Sequence, residues 1–196
     1  MARLRSEGMG GMRFERFSVL CLRGRVFALL LAAACVAFSL VGCSSDSGGT
    51  SGASEVSVTA AESLAAQDAA ETFTYGIDVT IVVTDVAQAA TYYNYDADGT
   101  TVQLFAVRAS DGTVRLALNT CQVCAGSTKA YFVQSGDAFV CQNCGNSFAA
   151  DEVGEEGAGC NPIPITSANY AEADGVIIVS ADFLEGYASS FTRWKG

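Results

Sequence analysis

Five cysteines in the second half of this 196-residue chain constrain its folding more than any other feature. Cys121, Cys124, Cys141, Cys144 and Cys160 are spaced C-x2-C-x16-C-x2-C-x15-C. A C-x-x-C turn presents two sulfurs to one point, and two such turns at this separation fall within the range of a tetrathiolate metal site. For the second pair to face the first, the chain between them must double back. Tyr131-Phe-Val133 and Ala138-Phe-Val140, on either side of Gly136-Asp137, read as the hairpin that does so. Gly126 and Gly145, just past each pair, allow backbone amides to turn toward sulfur. Such N–H···S contacts stabilise thiolate charge and tune the potential of a bound metal.

A disulfide framework is the competing reading, because two bridges and a spare thiol would also use five cysteines. The odd number and the knuckle spacing of both pairs count against it. A thioredoxin-like dithiol fits less well, since neither pair follows a parallel core strand and opens a helix. Cys160 lies in Gly157-Ala-Gly-Cys160-Asn-Pro162-Ile-Pro164, where the only two prolines of the chain stiffen the backbone and hold Asn161 and Ile163 extended. That rigidity suits a fifth ligand or a lid over the site; a thiol that packs in the core is the plainer alternative. Asp151, Glu152, Glu155 and Glu156 form an acidic run between Cys144 and Cys160, a solvated loop by default and a set of hard oxygen ligands for iron otherwise.

The N-terminus is not part of the fold. Arg3, Arg5, Arg13, Arg16, Arg23 and Arg25 precede the uncharged 17-residue stretch Val26 to Gly42, which ends in Leu40-Val41-Gly42-Cys43. A basic segment, a short apolar run and small residues before a cut site make a secretory signal. Leu-Val-Gly-Cys looks like a lipobox, in which the Cys43 thiol is acylated and becomes the first residue of the mature chain. An uncleaved signal anchor is the alternative. Residues 1–42 are therefore assigned to a lipoprotein signal peptide and 43–54, rich in Ser and Gly, to a flexible tether. Residues 55–196 form a single domain with its cysteine cluster at 121–164. The protein is expected on the extracytoplasmic face of a membrane, with membrane lipid as its partner through Cys43.

The leader takes six of the eleven basic residues and two of the twenty-one acidic ones, which leaves five against nineteen and a net charge of −14. No basic patch remains to offset phosphates, so nucleic acid is not an expected partner. The chain has no His. That excludes His-ligated zinc or copper, c-type haem and any His-based triad. Nothing resembles an activated nucleophile beside its base, so an enzyme is not expected.

The fold class reads as mainly β (α+β): antiparallel strands, short helices, and a zinc-ribbon/rubredoxin-like cysteine hairpin module inserted before the last strand. Thr59-Ala-Ala-Glu62 matches a capping box at the head of an Ala-rich helix reaching to Ala70. Ile77 to Val83 reads as a buried strand, and Thr91–Tyr95, Thr100–Arg108 and Thr113–Leu118 as a meander broken by Asp96-Ala-Asp-Gly99 and Ser110-Asp-Gly112. Val176–Val179 is a late strand, followed by a capped helical turn at Ser180–Glu185. Tyr93 and Tyr95 share one face of their strand and Tyr92 the other, as packing residues. Ile81-Val-Val-Thr84 and Ile177-Ile-Val-Ser180, each followed by a short turn and aromatics, echo one another, with Val56-Ser-Val-Thr59 as a weaker third copy. Repeats of this kind mean related packing in one core, and chance likeness of short β-branched runs is the alternative.

Asp111-Gly112 before a strand, Cys121-Gln-Val-Cys124, Tyr131, Gly136-Asp137, Val140-Cys141-Gln-Asn-Cys144-Gly145, Phe148, Gly154 and Gly159-Cys160-Asn-Pro-Ile-Pro164 together resemble the FtrD-like family of membrane iron–sulfur-containing proteins, over roughly residues 77 to 191. The resemblance implies an iron–sulfur cluster or iron as cofactor and an association with bacterial iron transport. It gives Cys121, Cys124, Cys141 and Cys144 the ligand role and Cys160 the matching Gly-Cys-Asn-Pro position. The lipobox here stands in place of a multi-span membrane part, so permease roles do not carry over. The leading expectation is a surface electron carrier whose partners are membrane iron-transport or redox proteins. A zinc-ribbon interaction module and an iron-delivery chaperone using the acidic loop are the alternatives.

Overall fold

The computed structural model describes residues 57–196, apart from 156 and 158. The expected signal peptide (1–42), Cys43 and the expected tether lie outside the described residues, as does Val56 of the third repeat.

A five-stranded sheet organises the domain. It is built from β1 (Glu71–Phe73), β3 (Thr91–Ala97), β4 (Thr100–Arg108), β5 (Val114–Cys121) and β9 (Pro162–Pro164), in that order. The meander appears where the sequence put it. Each strand is longer at one end or equal to its expected range because cross-strand pairing continues past the apolar run, Asp96↔Thr101 and Ala97↔Thr100 closing the first hairpin. All pairings are antiparallel except β1 with β3. Central β4 is buried on both faces from Val102 to Val107.

The two faces carry different layers. Against one lies a small sheet of β10 (Tyr170–Ala173), β11 (Val176–Val179) and β2 (Val79–Val82). Val79, Ile81, Ile177 and Val179 pack there on Tyr93, Tyr95, Leu104 and Leu118, with Leu184 of α2 (Ala181–Gly186) and Phe191 closing the core. β2 is shorter than the expected Ile77–Val83 and is buried on one face only, Thr80 and Val82 being exposed, because its sheet has a single layer to pack against. The repeated Ile-Val segments are direct neighbours, with Ile81 opposite Ile177 and Val79 opposite Val179. Their likeness is thus shared packing in one core. The described residues of the third repeat, 57–59, form no strand: Thr59 caps α1 (Ala60–Asp68), its hydroxyl accepting from the Glu62 amide while Glu62 Oε2 accepts from the Thr59 amide at 2.8 Å.

Against the other face lie α1 and a sheet of β6 (Phe132–Ser135), β7 (Ala138–Cys141) and β8 (Ser147–Ala149). Tyr92, Phe105 and Ala117 of the large sheet meet Phe132, Phe139 and Phe148 in a second core that also contains Cys121 and Cys141. Phe105 and Phe139 stack with centroids 4.6 Å apart. Tyr92 thus faces away from Tyr93 and Tyr95, as alternation requires, and all three are buried. α1 docks through a polar pair one turn apart. Ser63 Oγ and Tyr92 OH share a hydrogen bond of 2.8 Å, and Gln67 Nε2 donates to the Phe132 carbonyl at 2.9 Å.

Candidate metal centre

The cysteines sit where strands end. β5 delivers Cys121 as its last residue, β7 delivers Cys141 as its last, and each C-x-x-C forms the turn that follows. The two turns repeat one pattern. Ala125 N–H donates to the Cys121 carbonyl at 2.9 Å and Gly145 N–H to the Cys141 carbonyl at 2.8 Å. The amides of Cys121 and Cys141 donate to the carbonyls of Ala130 and Asn146, which seals each loop at its base. Gly126 and Gly145 have φ of 92° and 75°, values that a side chain would resist, and they turn the chain away once both sulfurs are placed.

These turns aim amides at sulfur. Cys124 N–H lies 3.4 Å from Cys121 Sγ. Burial pushes the Cys121 and Cys141 thiols up from their ordinary value, while the amides of residues 123 and 124 and of 143 and 144 pull the other way. Cys144 is exposed, and the Asn146 amide brings its thiol down to about 7. Interaction with the neighbouring Cys144 thiol moves Cys160 up to about 11. The buried Cys121 and Cys141 end of the site therefore disfavours free thiolate, whereas exposed Cys144 favours it. Soft metal ions displace thiol protons and relieve the first condition.

Cys160 joins this group from a third direction. Its loop is tied to the first knuckle by Gln122 N–H donating to the Asn161 carbonyl at 2.8 Å, and to the second by Asn146 Nδ2 reaching the Cys160 carbonyl at 3.4 Å. β9, with both prolines, then pairs along β5, Ile163 opposite Leu118 and Pro162 opposite Cys121, with the register slipping between. Proline is admissible there because β9 is an edge strand. The five thiols are free and converge: Cys121, Cys124 and Cys160 form one triad with all sulfurs within 4.8 Å of one another, and Cys124, Cys141 and Cys144 form a second. All five expected residues meet at one place.

The acidic run does something else. Asp151 accepts from the Ser110 amide and hydroxyl at 2.7 and 2.6 Å, Glu152 accepts from the Ala149 amide at 3.0 Å, and Glu155 pairs with Arg115 at 2.8 Å. Among the described residues no carboxylate joins a metal-ligating group. The residues that sequence reasoning missed are amides. Asn119, fully buried, accepts from the Phe132 amide at 2.8 Å and donates to Gln103 Oε1 at 2.8 Å, while its carbonyl accepts from Trp194 Nε1 at 2.7 Å. It locks the strand that carries Cys121 to the one that leads to Cys141. Its position two residues before the first cysteine was the one available signal. Ser127 Oγ also donates to Asn143 Oδ1 at 2.7 Å, knuckle to knuckle.

The model of the family described as "Membrane iron-sulfur containing protein FtrD-like" matches residues 86–191, from the end of β2's turn to the aromatic plug at Phe191. The chain belongs to the FtrD-like family. No curated protein and no solved structure matches it. The matched span takes in all five cysteines and the aromatic core of Tyr92, Phe105, Phe132, Phe139 and Phe148 that Cys121 and Cys141 join, so the FtrD-like region is the part that builds the site. Family and donor set agree on a metal-binding role: five convergent thiols with amides turned toward them suit a soft metal or an iron–sulfur cluster. The family name also associates the protein with a membrane. Among the described residues no helix is long and apolar enough to cross one.

Proposed function

We propose that this FtrD-like protein is a lipid-anchored extracytoplasmic electron carrier whose cysteine site holds an iron–sulfur cluster or iron, working beside membrane proteins of iron uptake. The observation that carries the reading is the gathering of Cys121, Cys124, Cys141, Cys144 and Cys160 into two adjoining triads that share Cys124, with one edge in the core and the other in solvent. A redox centre needs both. Its buried edge holds the ligands rigidly, and its exposed edge brings a partner within electron-transfer distance. Val123, between the first two cysteines, is 66% exposed and gives that edge an apolar surface. When bound, the metal would supply the change of oxidation state; the chain's residues hold it, set its charge environment and present it. Acyl chains on Cys43 and the Ser/Gly tether would keep the domain within reach of membrane partners, with two chains needed for a stable hold. The engagement of Asp151, Glu152 and Glu155 in hydrogen bonds and an ion pair argues against an iron-delivery role.

The test is metal and sulfide analysis with an absorption spectrum of anaerobically purified protein. Iron with visible absorption that bleaches on reduction is expected. A colourless protein with one zinc ion per chain would replace the electron carrier with a structural zinc ribbon, since zinc has no redox chemistry.

A further inference from the structure

Four thiolates around one ion make a compact figure. At a metal–sulfur distance of ~2.3 Å, the sulfurs of a tetrahedral site all lie roughly 3.8 Å apart. The two C-x-x-C pairs do not form such a group. Their sulfurs divide into the triads Cys121–Cys124–Cys160 and Cys124–Cys141–Cys144, and Cys124 belongs to both. Cys160 takes the place beside the first knuckle that a single tetrathiolate would give to the second.

We propose that the five thiolates hold two metal ions, with the Cys124 sulfur shared between them. The inference rests on the metal-centre reading above and deepens it. Charge supports it independently of distance. Five thiolates around one divalent ion leave a net charge of −3, on a site whose Cys121 and Cys141 ends are buried. Of the five cations among the described residues, Arg108 is bonded to the Val86 and Gly112 carbonyls, Arg115 to Asp111 and Glu155 and Lys195 to Asp68, while Lys129 and Arg193 are exposed to solvent. Two divalent ions reduce the residue to −1, and buried charge that lacks a partner is costly. Each ion then has three protein sulfurs and one remaining position. An open depression lined by Cys144, Gly145, Asn146, Gly159 and Cys160 gives that position access to a non-protein ligand, inorganic sulfide or water. Loading is pure coordination: each thiol releases its proton to solvent and no electron moves.

Anaerobic titration of the reduced, metal-free full chain with Co²⁺ alone tests this, followed by thiolate-to-cobalt absorption and native mass spectrometry. Saturation at two Co²⁺ per chain is expected, with Cys160→Ser and Cys144→Ser each falling to one, held by the triad left intact. A wild type that saturates at one Co²⁺, with Cys160 still open to iodoacetamide, overturns the shared-sulfur centre and leaves the metal reading standing. Either variant keeping two ions also overturns it. No Co²⁺ uptake and no metal in the native protein would remove both readings together.

Discussion

Asn119 and Tyr95 show how single polar side chains position the two cores. Replacing Asn119 with Ala strands the Phe132 amide and Gln103 Oε1 in a dry interior, at a cost of about 1–3 kcal/mol for each buried group left unpaired. Asn119→Ala should lower the urea midpoint accordingly. It should also weaken metal retention against a chelator, because the tie between the knuckle strands is gone; unchanged retention would confine Asn119 to fold stability. Tyr95 is fully buried, takes a hydrogen bond from the Gly76 amide at 2.8 Å and donates to Glu185 Oε1 at 2.6 Å. Burial, helped by that carboxylate, pushes its hydroxyl up to about 12 from an ordinary 10. A raised folded value means the contribution is complete below pH ~10 and is lost as pH rises through 12. Tyr95→Phe should cost about 1.5–3 kcal/mol near neutrality, as for hydrogen bonds to charged groups. It should also flatten the alkaline decline; denaturation series at pH 8 and pH 11 that shift equally in both proteins would contradict this.

At the scale of elements, the two knuckles are strand ends before they are metal ligands. β5 and β7 are held by their neighbours in the sheets, so Cys121 and Cys141 are placed without a metal, whereas Cys124, Cys144 and Cys160 lie on turns and a loop. Metal binding should therefore tighten the segment from Cys121 to Cys160 more than the meander. Structural thiolate sites contribute on the order of 10–16 kcal/mol at neutral pH. Cys124→Ser removes the sulfur common to both triads and is expected to lose all bound metal, with faster amide exchange from β6 to β8 and little change in β3 and β4. Mass spectrometry that instead finds Cys121–Cys124 and Cys141–Cys144 disulfides in metal-free wild type would restore the framework reading.

For the molecule as a whole, the large sheet separates two tasks. One face packs the β2–β11 sheet and α2 into a conventional apolar core, and the other carries α1 and the cysteine sheet. The site is thus built on one side of a rigid layer, as the proposed electron carrier would need in order to present it to a partner. The anchor belongs to this scale. Cys43→Ala should block processing and acylation and release the protein from membranes; a mutant still cleaved after Gly42 and retained at high salt would end the lipid-anchor proposal. With nineteen carboxylates against five cations after Gly42, binding of a basic redox partner should weaken as salt rises.

The sequence by itself determined the β meander, the capped helix at Thr59, the cysteine hairpin and the ligand candidates, because these depend on local spacing: alternation, turn glycines, C-x-x-C. Four short strands escaped it. β1 and β8 have three residues, β10 is Tyr-Ala-Glu-Ala, and β9 carries two prolines; each is a strand only because a neighbour offers it hydrogen bonds. The face of each tyrosine was legible from period two, yet the burial of Ser63, Gln67, Gln103 and Asn119 was not, since it depends on hydrogen-bond partners distant in sequence, such as Tyr92 for Ser63 and Phe132 for Gln67. The grouping of the sulfurs is the clearest case. Spacing assigned four cysteines to one site with a fifth nearby, whereas the pairing of β9 with β5 brings Cys160 against Cys121 and Cys124, a contact across 36 residues that no local pattern encodes.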